Sequence, residues 1–211
     1  MWKHLEKTWQ QIFSLAWASY QRGTIPVGAV IKDASNQTVA AGRNKTSDAL
    51  SKHVLAGTCM GHAEMIAMMQ LELEAHPNVE DYTLYVGMEP CPMCFGAMVM
   101  MGIKNVVFAT SDAVVGASEL RDKMDYIQDK DMNIIKLGGE MEIFQIILQT
   151  SRGQMSPDPK VLERWEATRP GAVKLGQLLH KVEFFESAQD SNLDIWDVYD
   201  TIMQRYYTFF A

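Results

Sequence analysis

Two short stretches, "HAE" at residues 62–64 and "EPCPMC" at residues 89–94, restrict what this chain can fold into more than any other feature of it. Cys91 and Cys94 lie three apart, and Pro90 and Pro92 mark a helix start, so both sulfurs share one face of a first helical turn. The helix dipole and a cation would each favour the thiolate forms there. His62 opens a second predicted helix. Joined to the cysteines it makes a His/Cys/Cys set of three protein ligands, which leaves one tetrahedral corner for water, the mark of a catalytic zinc site as opposed to a closed structural one. A fold that satisfies this set must bring two helix starts, distant in the chain, to one point.

Glu64 raises a separate question, because "HAEMIAM" is otherwise apolar and a buried carboxylate is costly unless paired, hydrogen-bonded or placed beside a metal. Two residues from His62, it sits near the metal but off the ligand direction, where it can take a proton from water and pass it to a substrate. H-x-E followed by P-C-x-x-C, with the glutamate a non-ligand acid and base, is the signature of zinc nucleobase deaminases. Three other readings compete. The C-x-x-C pair could be a redox couple, which leaves His62 and Glu64 without a role. Cys59 could close the metal shell as a fourth ligand, which makes the zinc structural. The third is a zinc-stabilised interaction module without catalysis. His53 lies in the loop before the motif and could border the pocket.

Composition bears on compartment and partners. Glu6 and several polar side chains break up the N-terminus, and the longest apolar run, "CFGAMVMMGI", is too short to span a bilayer, so a cytoplasmic protein with no membrane partner is expected. With 12 basic and 17 acidic residues up to position 150, and 7 and 9 beyond it, neither part of this net −7 chain is basic. An extended nucleic-acid footprint is therefore disfavoured.

Periodicity predicts the elements in turn. A helix in "WKHLEKTWQQIFSLAWASYQR" carries its apolar residues, from Leu5 to Tyr20, at helical spacing and stops before Gly23. Two β-rich runs around "DASN" read as a hairpin, and a long loop leads to a helix over 62–75. Then come the strand "YTLYVGM", the helix "PMCFGAMVMMG", the strand "NVVFAT", a helix in "ASELRDKMDYIQ", the strand "NIIKLG" and the helix "EMEIFQIILQT". Alternation of this kind predicts an α/β sandwich whose sheet is largely parallel after the hairpin. The Pro-, Gly- and Ser-rich "SRGQMSPDPK" places a boundary near residue 152, giving a domain over 1–151 and a helical extension over 152–211 with helices near 159–168, 173–187 and 193–210. The extension's aromatics, Trp165, Phe184, Phe185, Trp196, Tyr199, Tyr206, Tyr207, Phe209 and Phe210, demand burial against the core or a second subunit.

At "PVGAVI", Asn44 after "AGR", "HAE", "TLYVGMEPCPMC", "GAM" and "SDAVVGA" the chain resembles the cytidine/deoxycytidylate deaminase superfamily, within its branch of tRNA adenosine deaminases and guanine deaminases, over about residues 5–150. The resemblance implies a three-layer α/β/α sandwich with a five-stranded mixed sheet, and commonly a homodimer. It implies zinc on His62, Cys91 and Cys94, proton transfer by Glu64, a hydrogen bond from Asn44 to the substrate and contact of the Ala63 backbone with the base edge. The implied reaction is hydrolytic deamination of a nucleobase or nucleoside, an aminopurine favoured on branch resemblance, with tRNA adenosine-to-inosine editing as the alternative. The segment "SDAVVGA" is neutral at Ser111, Val114 and Val115, where tRNA editors often carry basic residues, and compact relatives lack the C-terminal extension.

Overall fold

The chain turns back on itself at "DASN": the Asp33 carboxylate accepts from the backbone N–H groups of Ser35 and Gln37, and Asn36 takes positive φ. This turn joins β1 (Gly28–Lys32) to β2 (Thr38–Arg43) as an antiparallel pair with a register shift between Ile31 and Lys32. The structure, a computed structural model, describes residues 1–153 and 157–210. Gln154, Met155 and Ser156 of the Pro- and Ser-containing junction lie outside the described residues.

β1 also pairs antiparallel with β3 (Thr83–Met88), and β3, β4 (Asn105–Thr110) and β5 (Asn133–Lys136) run parallel. The order β2-β1-β3-β4-β5 is the expected five-stranded mixed sheet. Side chains alternate across it. Ala29, Ile31, Leu84, Val86, Val106 and Phe108 face one layer, built on α2 (Ala63–Met68) and α3 (Pro92–Met101). Val30, Tyr85, Val107 and Ala109 face the other, built on α1 (Lys7–Tyr20) and α5 (Gly139–Thr150).

The extension adds α6 (Pro159–Thr168), α7 (Pro170–Lys181), α8 (Phe184–Asp190) and α9 (Ile195–Phe210), with the one-turn α4 (Asp125–Gln128) lying earlier in the chain. These helices pack on α1 and α5 within one apolar cluster. Phe13 of α1, Phe144 of α5 and Tyr199 of α9 meet there, with ring centroids 4.8 Å apart for the first pair and 4.6 Å for Phe144 and Tyr199. Beside them the buried Glu142 carboxylate is held by Lys136 Nζ at 2.6 Å and by Arg169 Nε of the extension at 2.8 Å. A buried carboxylate so paired and hydrogen-bonded fixes how α7 approaches α5.

Three sequence expectations, all of helices, need correction. The helix expected over 62–75 ends at Met68, because its apolar pattern lapses: Met69 and Leu73 are exposed. The helix expected in "ASELRDKMDYIQ" is a 3₁₀ turn over Ser118–Asp122 followed by α4, the chain bending between them at Lys123 and Met124. The single helix expected over 173–187 is two, α7 and α8, broken where Glu183 takes φ of 51°. Trp196, Tyr207 and Phe209 of the extension are exposed, while Trp165, Phe185, Tyr199 and Tyr206 are buried.

Candidate active site

α2 and α3 begin at the same end of the sheet. His62 is the extended residue that caps α2, and Cys91, after the turn that follows β3, caps α3 with Pro92 in its first turn. α2 is too short to stand alone and lies tight on β2 at Gly42, where a Cβ would run into the Ala63 carbonyl oxygen and the Ala67 amide. The Gln70 side-chain amide ties the far end of α2 to the Ala41 carbonyl at 2.6 Å. These contacts fix the direction of His62.

His62 Nδ1 lies 3.6 Å from Cys91 Sγ and 3.5 Å from Cys94 Sγ, and the three donor atoms fall within 4.8 Å of one another. A tetrahedral zinc with Zn–S of ~2.3 Å and Zn–N of ~2.0–2.1 Å separates sulfur from nitrogen by about 3.6 Å, so the donor set fits the ion. Among the described residues no fourth His, Cys, Asp or Glu joins the cluster; Cys59 is exposed and outside it. The closed four-ligand alternative thus loses its fourth ligand. A divalent ion held by this set would take both cysteines as thiolates.

Glu64, in the first turn of α2, is 5% exposed, and burial raises its carboxyl above the usual range against the opposing pull of His62. It lies outside the three-ligand cluster. With His62 and Cys91 it borders a cavity of about 130 Å³, closed elsewhere by Ile25, Val27 and Met88. Asn44 lines the same cavity. Its side-chain oxygen accepts from Thr24 Oγ1 at 2.6 Å, Thr46 Oγ1 at 2.8 Å and the Thr46 N–H at 3.0 Å, which orients the amide and leaves its NH₂ as the group able to serve a ligand. Ala63 is fully buried at the head of α2. His53 is not part of the cavity lining; its ring nitrogen accepts from the Leu55 N–H. Of the many methionines near the motifs, Met88 lines the cavity and Met68 and Met98 fill the core.

Two wall residues escaped the sequence reading. Glu89 accepts from the N–H groups of Asp112 and Ser118, each at 3.2 Å, and so clamps the segment after β4 against the turn that carries Cys91. Asp112 turns that segment inward by accepting from Val114 and Val115 N–H at 2.9 Å, which brings Val115 to the cavity. A glutamate directly before P-C-x-x-C was the available signal for the first; an Asx turn in "SDAVV" was that for the second.

The family model "cytidine and deoxycytidylate deaminase zinc-binding region" matches residues 3–110. A tRNA-specific adenosine deaminase of Rickettsia felis is 32% identical over 112 residues, 52% of this chain and 73% of that protein. Another, from Haemophilus influenzae, is 32% identical over 133 residues, 61% of this chain and 69% of that protein. A solved structure from studies of A-to-I editing by tRNA:A34 deaminases covers 63% of this chain and 96% of its own at 21% identity and a TM-score of 0.50, a likeness of fold.

Proposed function

Because this chain belongs to the cytidine and deoxycytidylate deaminase zinc-binding family and is a deaminase of that family, we propose that it replaces the exocyclic amine of an aminopurine by a carbonyl, releasing ammonia. The observation that carries this reading is the convergence of His62, Cys91 and Cys94 on one point beside the buried Glu64. Zinc bound by the three side chains would supply an activated water and a positive charge at the remaining corner of its coordination shell. Glu64 takes a proton from that water and delivers it to the ring nitrogen next to the carbon that carries the amine. Its raised affinity for protons suits it to hold that proton between transfers. Once the water oxygen has bonded to that carbon, Glu64 takes the second proton from the new C–OH group and gives it to the amine, whose C–N bond breaks to release ammonia as the carbonyl forms. The Asn44 NH₂ group and the Ala63 N–H hold the base in register. The overall reaction consumes one water and one amine and yields one carbonyl and one ammonia.

The names of the relatives support adenosine as the base-bearing unit and tRNA as its carrier. A free nucleoside is the second reading, favoured by the segment after β4, where Ser111, Val114 and Val115 are neutral and the wall residue Asp112 is acidic. Ammonia release from adenosine, guanine, cytosine, cytidine and a tRNA anticodon stem-loop separates the cases. Absence of ammonia from every member of that panel sinks the enzyme reading. The homodimer implied by resemblance is tested by sedimentation of the zinc-loaded chain.

A further inference from the structure

The cavity beside Glu64 does not end at its own wall. Ile25, Met88, Asp112 and Val115 line it and also line a second cleft, of about 470 Å³, between the sheet end and the C-terminal extension. At about 130 Å³ the inner cavity is smaller than the ~300–1,000 Å³ that small-ligand sites occupy, and the adjoining cleft offers room for the rest of a larger ligand. The extension makes the far wall: Val161 and Trp165 of α6 line it, and Trp165 Nε1 donates to the Ser111 carbonyl at 3.0 Å, fixing α6 to the segment that carries Asp112 and Val115.

One buried polar group in this cleft has no partner. Gln149, on α5, is 3% exposed and its side-chain oxygen accepts from Arg152 Nη1 at 3.3 Å. Arginine only donates, so the atom it faces must be the oxygen, and the orientation of the amide is settled. Nε2 is then left buried without an acceptor among the described residues. A native chain seldom leaves such a donor unmet without a ligand or water to meet it. Arg152, partly buried, likewise lines the cleft and forms no ion pair with a carboxylate among the described residues. Opposite these donors stand two carboxylates. Asp112 and Asp158 each spend one oxygen on backbone N–H groups, at Val114, Val115 and Lys160, which leaves the other oxygen of each without a backbone partner among the described residues. One guanidinium against two carboxylates disfavours a phosphate, whereas a neutral polyol both accepts and donates.

Resting on the reading of this site as an aminopurine deaminase, we infer that the cleft is its sugar subsite and takes the ribose of a free nucleoside. Gln149 Nε2 and Arg152 donate to ribose oxygens, the Asp112 and Asp158 carboxylates accept from its hydroxyls, and Val161 and Trp165 cover its carbon face. The extension thereby completes the substrate site.

Calorimetric titration of the zinc-loaded Glu64→Ala chain, which holds substrate without turnover, reads this directly with adenine, adenosine and adenosine 5′-monophosphate. Adenosine is expected to bind at least about tenfold more tightly than either of the others. Gln149→Leu in that background should cost adenosine about tenfold and leave adenine unchanged. Inosine against hypoxanthine on the wild-type chain repeats the comparison where Glu64→Ala fails to fold, and Arg152→Met does so where Gln149→Leu fails. Equal affinity of base and nucleoside, tighter binding of the monophosphate, or adenosine affinity untouched by both substitutions overturns the inference. Ammonia from the stem-loop with no nucleoside binding also overturns it, while the deaminase reading stands. Tight, Gln149-dependent adenosine binding without ammonia from any substrate does the reverse.

Discussion

Glu64 is the residue on which chemistry and burial meet. In an apolar helix this carboxylate is 5% exposed; burial raises its proton affinity, and His62 beside it pulls the other way. Glu64→Ala should therefore keep about one zinc per chain by metal analysis and lose turnover by at least about 10³-fold. Substantial residual ammonia release would remove the shuttle role. The cysteines behave in the opposite way. Cys94→Ala leaves two ligands, so zinc content should fall well below one per chain and activity with it. Chelation of the wild-type metal should lower the melting temperature, since a bound ion stabilises only the folded chain; a melting curve indifferent to chelator would show that the ion is not held there. Both motifs were legible in the sequence because residue type and spacing alone define them. The Thr24 bond that completes the saturation of the Asn44 oxygen was not legible, since Thr24 lies 20 residues away in the chain.

At the scale of elements, the site depends on a six-residue helix. α2 has too few turns to be stable by itself and is held by β2 through Gly42 and by the Gln70 bond to Ala41. Gly42→Ala forces α2 off the sheet. It is expected to cost about 1–3 kcal/mol or more in denaturant unfolding and to weaken zinc binding, because His62 moves and the cysteines do not. Unchanged zinc affinity would mean that the capping turn moves independently of the helix. Strands were the elements read best, each an apolar run bounded by turn residues. Helices were misread where hydrophobic period and actual burial part company: "MQLELEA" keeps apolar residues but leaves Leu73 in solvent, and "KVEFFES" keeps helical spacing across the break at Glu183.

Taken whole, the molecule has no interface at residue 152 that could part without exposing core. Phe13 of α1 and Phe144 of α5 pack on Tyr199, Trp17 packs on Phe185, and Glu142 takes Arg169 as one of its two cations. A chain ended at Ser151 is expected to show no cooperative melting; a transition like that of the full chain would show that the extension contributes little. Trp165→Ala should cost about 3–5 kcal/mol by loss of buried volume and raise KM, since Trp165 both fills the core and holds the Ser111 carbonyl at the cleft. No helix among the described residues is long and apolar enough to cross a membrane. By itself the sequence determined the donor set, the acid beside it and the alternation of strands and helices, because each is written in residue type and short-range period. Only the tertiary structure decided that Glu89 clamps the wall, that Gln149 is left with an unmet donor and that α6 faces the site. Those facts belong to pairs of residues distant in the chain, and no local pattern encodes which distant surface an element will meet.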